Sequence, residues 1–248
     1  MITIKTEKEI KIMREGGEIL ARIMKQLEGK VEPGVKTFQL DRLAESLILK
    51  YGQCSFKGYN NFPTCLCTSV NEEIVHSAPS NRKLKEGDII SLDLGLFYKG
   101  FHSDMAVTLP VGKADPEALR LIKVTKKALK RALKKVKLAN TFGDIGNSIQ
   151  RYVEGQGFSV IRELCGHGIG KELHEDPQIL NYSKRRTGPK IKEGMTFCIE
   201  PMVSAGDWKI KKTKDKIGYK TADSSLSAHF EHMILVIKNG YQVLTNAD

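Results

Sequence analysis

The chain has 248 residues, 40% hydrophobic and 28% charged, a globular composition with enough length for one large core or two packed halves. No apolar run approaches the ~20 residues of a membrane span, and the N-terminus lacks the apolar stretch of a signal peptide, so membrane-spanning and exported classes are not expected. The net charge of +11 favours contact with polyanions.

The five cysteines are Cys54, Cys65, Cys67, Cys165 and Cys198. Their odd number and the lack of a CxxC pair argue against a disulfide framework or a zinc ribbon, and for a reducing, cytoplasmic setting.

Thr6-x-x-Glu9 is a capping box that opens a first helix, with Ile10, Met13, Leu20, Met24 and Leu27 as its apolar stripe. Pro33-Gly34 breaks the chain. Thr37 is expected to cap a second helix, with Leu40, Leu43, Ala44, Leu47 and Ile48 inward and an end near Gly52. Residues 53–70 read as strand and loop. Val70 to Val75 leads to His76, followed by a turn at Ala78-Pro79.

A β-hairpin comes next. Ile89 to Tyr98 alternates, with Asp93 sharing a face with Ser91 and Gly95, and Leu92, Leu94 and Leu96 on the other. Lys99-Gly100 is a turn signal, and Asp104 to Leu109 alternates again. If the strands fold back around residues 98 and 99, Asp93 and Asp104 face each other roughly 4.5–5.5 Å apart. Two carboxylates that close repel unless a cation lies between them. Two unrelated aspartates at strand ends would also fit this stretch alone.

Asp115-Pro116 starts a third helix as N-cap and first-turn proline, with Leu119, Ile122, Leu129, Leu133 and Val136 expected inward. It carries Arg120, Lys123, Lys126, Lys127, Lys130, Arg131, Lys134, Lys135 and Lys137, with no acid between Ala118 and Gly143. Thr141 caps a fourth helix through Ile145, Ile149 and Val153, which Gly155-Gln156-Gly157 stops.

The second half echoes the first. Lys36-Thr37-Phe38 and Asn140-Thr141-Phe142 each precede a helix. Lys85-Glu86-Gly87 stands before Asp93 as Lys192-Glu193-Gly194 stands before Glu200. The similar spacing argues for an internal duplication that places Glu200 where Asp93 is, with Glu231 on a later strand as the counterpart of Asp104. Four carboxylates then come from four strands, and two divalent cations would neutralise them. Gly166-His167-Gly168-Ile169-Gly170 lies between them, with His174 beyond. One imidazole with four hard oxygen donors suits Mn, Fe(II), Co or Zn. His167 and His174 lack the i, i+4 spacing of a zincin helix, and neither a GxSxG elbow nor a phosphate loop is present.

These residues bring a family into view. Ser69-Val70-Asn71-Glu72 leading to His76, then Asp93, Asp104, Gly166-His167-Gly168-Ile169-Gly170, Ile199-Glu200-Pro201-Met202 and Ser225-Leu226-Ser227-Ala228-x-x-Glu231-His232 together resemble the type I methionine aminopeptidases. The likeness is to the short bacterial form without an N-terminal zinc-finger extension, and it covers essentially the whole chain. It implies the α/β (α+β) pita-bread fold, with two pseudo-twofold-related halves whose antiparallel sheet is covered by helices. A single catalytic domain over 1–248 is expected, with halves at about 1–112 and 113–248.

The resemblance further implies that Asp93, Asp104, His167, Glu200 and Glu231 hold two divalent metal ions, Asp104 and Glu231 bridging them. A hydroxide shared by the metals would attack the scissile carbonyl. Glu200 would shuttle the proton, with His174 hydrogen-bonding the oxyanion and His76 the peptide nitrogen side. Tyr59, Phe62 and Cys67 match the methionine side-chain pocket. The implied activity is removal of the initiator methionine from new polypeptides with a small second residue, with nascent N-termini as partners. A ribosome contact through the basic segment at 120–137 is added by the charge pattern, and a cytoplasmic monomer without membrane attachment is expected.

Three departures bear on the pocket: His76-Ser77-Ala78-Pro79 replaces the usual His-Gly-Ile-Pro, Leu173 replaces a phenylalanine, and Ile217 stands where close relatives carry tryptophan. Trp208 does not replace that tryptophan by position. Two rival readings remain. A proline-directed metallopeptidase of the same fold would usually carry an extra N-terminal domain, for which there is no room before the first helix. A ribosome-binding pita-bread protein without activity would be expected to have lost ligands, and none of the five is missing.

Overall fold

A computed structural model describes residues 2–247. Among these residues four α-helices form where capping chemistry places them. α1 spans Glu7–Glu28; the Thr6 hydroxyl accepts from Glu9 N–H while the Glu9 carboxylate accepts from Thr6 N–H at 2.9 Å. α2 spans Thr37–Ile48, and its N-cap is Lys36, not Thr37. Gln39 Oε1 satisfies Lys36 N–H at 2.8 Å. The Thr37 hydroxyl is drawn away to the Ser80 backbone, accepting from its N–H at 2.8 Å. α3 spans Pro116–Leu133, with the Asp115 carboxylate accepting from Glu117 N–H and Ala118 N–H. α4 spans Phe142–Glu154, with Thr141 and Asp144 as a reciprocal cap.

The α3 stripe differs from the one expected. Leu119 is 45% exposed, whereas Leu121, Val124, Ala128, Leu129, Ala132 and Leu133 are buried. The inward face runs through small alanines as well as leucines, so choosing only the large apolar residues rotated it. The helix also ends at Leu133, leaving Lys134, Lys135 and Lys137 in the following turn.

Fifteen strands follow in chain order: β1 (Gln53–Cys54), β2 (Leu66–Val70), β3 (Glu73–Val75), β4 (Ile89–Tyr98), β5 (Phe101–Pro110), β6 (Ser159–Val160), β7 (Cys165–Gly168), β8 (Glu175–Leu180), β9 (Thr196–Ile199), β10 (Met202–Ser204), β11 (Ile210–Lys212), β12 (Tyr219–Thr221), β13 (Ser227–His229), β14 (Glu231–Ile237) and β15 (Gly240–Val243). The main sheet runs β1-β4-β5-β14-β9-β7-β8, with β2 also on β4 and β15 on β14. Its centre is near-symmetric, since β4–β5 and β9–β14 are antiparallel pairs joined by β5 against β14, where Glu231 lies opposite Ala106. β13-β10-β6 and β11-β12-β3 form two smaller sheets.

Helices back this sheet. Leu20, Leu27, Leu40 and Ile48 of α1 and α2 pack with Leu92, Leu94 and Leu96 of β4. Leu121, Ala128, Ile145 and Ile149 of α3 and α4 pack with Phe197, Ile199 and Ile234. Leucines 92, 94 and 96 thus face the helices, and period-2 alternation sends Asp93 to the opposite face.

Two expectations are corrected here. The β4–β5 register pairs Asp93 with Ala106 and Asp104 with Gly95, so the aspartates are diagonal neighbours on one face and not directly opposite. The reason is the turn: Lys99 (φ 49°) and Gly100 (φ 89°) both take positive φ, the two-residue hairpin geometry that suits strand twist. This moves the fold-back point one residue beyond the assumed one and shifts every pair by two. Second, Cys54 and Cys65 form a disulfide, against the disulfide-free reading. β1 and β2 both pair with β4, Cys54 opposite Leu96 and Leu66 opposite Leu94. The chain therefore leaves and rejoins one sheet edge at adjacent positions, a proximity that cysteine spacing does not reveal.

Candidate metal centre

The central strands converge their carboxylates on one cleft of about 830 Å³. Asp93 comes from β4, Asp104 from β5, Glu231 from the start of β14, and Glu200 from the residue after β9. Ligand-capable oxygens of Asp93, Asp104 and Glu231 lie within 4.8 Å of one another. His167 projects from β7, its Nε2 3.4 Å from Glu200 Oε1, 3.9 Å from Glu231 Oε1 and 4.0 Å from Asp104 Oδ2.

Glycine makes this approach feasible. A Cβ on Gly166 would sit 2.4 Å from the Cys198 carbonyl, and one on Gly168 2.1 Å from that of Asp176. Only a bare backbone lets β7 carry His167 so close to its neighbours. His167 Nδ1 lies 2.9 Å from the Gly168 carbonyl. Because that oxygen can only accept, Nδ1 carries the proton and Nε2 presents a lone pair to the carboxylates.

The electrostatics are those of a site built around cations. Burial pushes Asp93 up to about 7. Burial, then Glu231 and Asp93, hold Asp104 well above the carboxylate range. Burial and the neighbouring carboxylates do the same to Glu200 and Glu231. Burial, then His174, lowers His167 to about 3. Asp93 Oδ1, Asp104 Oδ1 and Glu231 Oε1 are buried without a hydrogen-bond partner, although buried polar atoms are rarely left so. Orphaned carboxylate oxygens beside an unprotonated imidazole nitrogen fit divalent cations, which take such donors at short range.

Two further histidines open onto the cleft. His76 stands at φ 59° just after β3, a strained conformation for a side-chain-bearing residue. Its ring lies 6.1 Å from that of Tyr219, and it is exposed on the cleft wall. Although its edge reaches the open cleft, the protein packed around the ring strips it of water and, with His174 second, lowers it to about 4. His174 packs edge-on against His167 with ring centroids 4.4 Å apart, and its Nδ1 lies 2.8 Å from Tyr59 Oη.

All ten residues singled out in the sequence line this one cleft: Tyr59, Phe62, Cys67, His76, Asp93, Asp104, His167, His174, Glu200 and Glu231. Cys67 is the register partner of Asp93. Leu173 and Ile217 also line it. Trp208 instead lies against the Arg162 guanidinium, 4.9 Å from its ring.

Sequence reasoning missed two neighbours. Cys198, two residues before Glu200, has its sulfur within 4.8 Å of ligand atoms of His167 and Glu231. His229 Nε2 lies 3.7 Å from Glu200 Oε2. Strand alternation could have flagged Cys198, which stands on β9 two residues before Glu200; no spacing marks His229, because β13 and β14 belong to different sheets.

A helix-backed antiparallel sheet that gathers four carboxylates, those of Asp93, Asp104 and Glu231 buried and that of Glu200 half-buried, around an imidazole fits a metal-dependent hydrolase centre, and the chain belongs to metallopeptidase family M24, whose model matches residues 11–238. Its architecture is the pita-bread fold of that family. The chain is 45% identical over 246 residues to the methionine aminopeptidase of Clostridium perfringens, covering 99% of each chain. It is also 45% identical to methionine aminopeptidase 1 of Bacillus subtilis, again over 99% of both. The crystal structure of methionine aminopeptidase from Thermotoga maritima superposes with a TM-score of 0.97 at 42% identity, covering 99% of this chain and 100% of that one.

Proposed function

We propose that this metallopeptidase removes the N-terminal methionine from newly made polypeptides with a small second residue. The observation that carries the reading is the cleft itself, where five side chains able to ligate metal, two accessible histidines and the Tyr59–Phe62–Cys67 wall meet. Relatives that share 45% of the sequence over 99% of both chains are methionine aminopeptidases, which disfavours the proline-directed and inactive alternatives.

In this reading Asp93, Asp104, His167, Glu200 and Glu231 would hold two divalent ions, drawn from Mn, Fe(II), Co and Zn. Aminopeptidases are among the standard two-metal hydrolases, in which the ions supply Lewis acidity and lower the pKa of water. The chain's own residues do the rest. Glu200 takes up the attacking water's proton and returns it to the departing amine. His174, held by Tyr59, donates to the oxygen that gains charge, and His76 contacts the peptide nitrogen side. Tyr59, Phe62 and Cys67, with Leu173 and Ile217 nearby, enclose the methionine side chain. The whole chain acts as one catalytic unit whose halves, about 1–112 and 113–248, meet at the β5–β14 pair.

The partners in this reading are nascent N-termini in the cytoplasm. Among the described residues no helix is long and apolar enough to cross a membrane. The basic face of α3 and the turn after it supplies a ribosome contact. It continues into a groove of about 350 Å³ lined by Arg131, Lys135, Arg151 and Arg185. The protein works as a monomer.

A peptide panel tests the reading. Met-Ala-x should be cleaved after methionine, Met-Pro-x should show how much second-residue freedom the site allows, and Leu-Ala-x should be inert. Equal cleavage of Leu-Ala-x would remove the methionine assignment.

A further inference from the structure

His229 ends β13 and is 1% exposed. Neither ring nitrogen has a hydrogen-bond partner, a costly state for a buried polar group unless something uses it. Its backbone is pinned from both sides by one hydroxyl. His229 N–H donates to Thr108 Oγ1 at 2.8 Å, and that hydroxyl lies 2.7 Å from the His229 carbonyl. Thr108 Oγ1 is in turn 2.8 Å from Ser91 Oγ on β4. The ring therefore has a fixed origin in the sheet and is not free to turn to solvent.

Its nearest charged neighbour is the Glu200 carboxylate, Oε2 lying 3.7 Å from Nε2. The other oxygen, Oε1, lies 3.4 Å from His167 Nε2. Glu200 thus stands between two imidazoles, one oxygen turned to each. The Glu200 backbone is also held, its carbonyl accepting from Asn181 Nδ2 at 3.0 Å. Only the side-chain torsion is left to set, and His229 is the group placed to set it.

We propose that His229 is the positioning residue for Glu200: its Nε2–H takes Glu200 Oε2 and leaves Oε1 aimed at the metal centre. A neutral imidazole has one N–H to give, and a carboxylate held at one oxygen cannot swing to offer both oxygens to one ion. The 3.7 Å separation is longer than a hydrogen bond and closes with a carboxylate shift of about 0.5–0.8 Å, as polar contacts in reaction centres commonly tighten on loading. The inference rests on the role proposed for Glu200, and nothing in that role requires His229.

Three variants test it. His229→Gln keeps an N–H at the reach of Nε2, His229→Leu keeps bulk without a donor, and His229→Asn carries its N–H too short to reach Oε2. Divalent-ion affinity is measured by calorimetry on stripped protein, and kcat and KM on a Met-Ala peptide. Outer partners of metal ligands typically carry about 10–100-fold in affinity or activity. His229→Leu and His229→Asn should lose metal affinity and kcat on that scale with KM little changed, and His229→Gln should restore most of both. Should His229→Leu fail to fold, the contrast of His229→Asn with His229→Gln decides. Gln and Asn equally impaired would mean simple packing and overturn the proposal, as would a folded donorless variant with undiminished metal affinity and kcat. If the unaltered protein does not cleave Met-Ala, the functional reading fails, while the calorimetric contrast between variants still decides the role of His229.

Discussion

Tyr59 Oη and His174 Nδ1 are 2.8 Å apart, which links the proposed pocket wall to the proposed oxyanion donor. With Nδ1 engaged by the phenol, the other ring nitrogen of His174 is left for the cleft. His174→Ala should lower kcat by roughly 10²–10³, the usual loss for one oxyanion donor, with metal affinity unchanged. Tyr59→Phe frees the ring and should cost about tenfold in kcat, the low end for an orienting partner. A His174→Ala variant whose metal affinity fell in step with kcat would make His174 a ligand instead.

Metal-free protein should lose stability as pH rises from about 6.5 through the Asp93 pKa of about 7. Asp93 is raised to about 7, and Asp104, Glu200 and Glu231 are raised well above the carboxylate range. Groups raised on folding contribute stability that is fully present below the unfolded pKa and is lost as pH rises through the folded one. Each carboxyl still protonated gives a slope of about 1.4 kcal/mol per pH unit. The lowered histidines, His76, His102 and His232 at about 4, His167 and His229 at about 3, and His174, act with opposite sign but only below about pH 6.5. Melting curves with chelator should therefore fall across this window, and Mn(II) should flatten them. A flat metal-free profile would contradict the clustered-carboxylate electrostatics.

The Cys54–Cys65 bridge closes a loop of sequence separation 11 that carries Phe56, Tyr59 and Phe62 of the cleft wall. Chain-entropy reasoning gives roughly 3 kcal/mol for such a loop. Oxidised protein should melt several degrees higher than reduced protein, and Cys54→Ser should abolish the difference. Peptide mapping under non-reducing conditions should recover the cross-linked pair. Recovery of both cysteines as free thiols from oxidised protein would contradict it. A reducing cytoplasm would favour the open form, so the bridge matters most for protein handled in air.

Lys127, Lys130, Arg131 and Lys134 are exposed on or just after α3. Reversing these four charges should weaken ribosome co-sedimentation and flatten its salt dependence, each lost phosphate contact removing about one unit of the log–log slope. Peptide turnover should not change, because none of the four lines the catalytic cleft. An unaltered co-sedimentation profile in low salt would make this an ordinary solvated face.

Much of this was legible in the sequence because it rests on local rules. The Thr6–Glu9 box, the Asp115-Pro116 start and the Thr141 cap are short-range chemistry, and all three stand at their helix ends. Alternation put Asp93 on the face away from Leu92 and Leu94. What failed depended on more than one element. The β4–β5 register turned on two positive φ values at Lys99 and Gly100, and a fold-back point misplaced by one residue became a two-residue shift. Leu119 was placed inward on hydrophobicity, although tertiary packing preferred the alanines of α3. Cys54 and Cys65 meet only because β1 and β2 share an edge of β4. His229 was silent because an unpartnered ring and a carboxylate 3.7 Å away are facts of packing, not of spacing.

The central claim is that the buried carboxylate cluster works by holding divalent cations. The most direct test strips the protein exhaustively with chelator, verifies the metal content by elemental analysis, and follows release of methionine from a Met-Ala-x peptide. Turnover should fall to background and return on addition of Mn(II), Fe(II) or Co(II). Full turnover by verified metal-free protein would contradict the account.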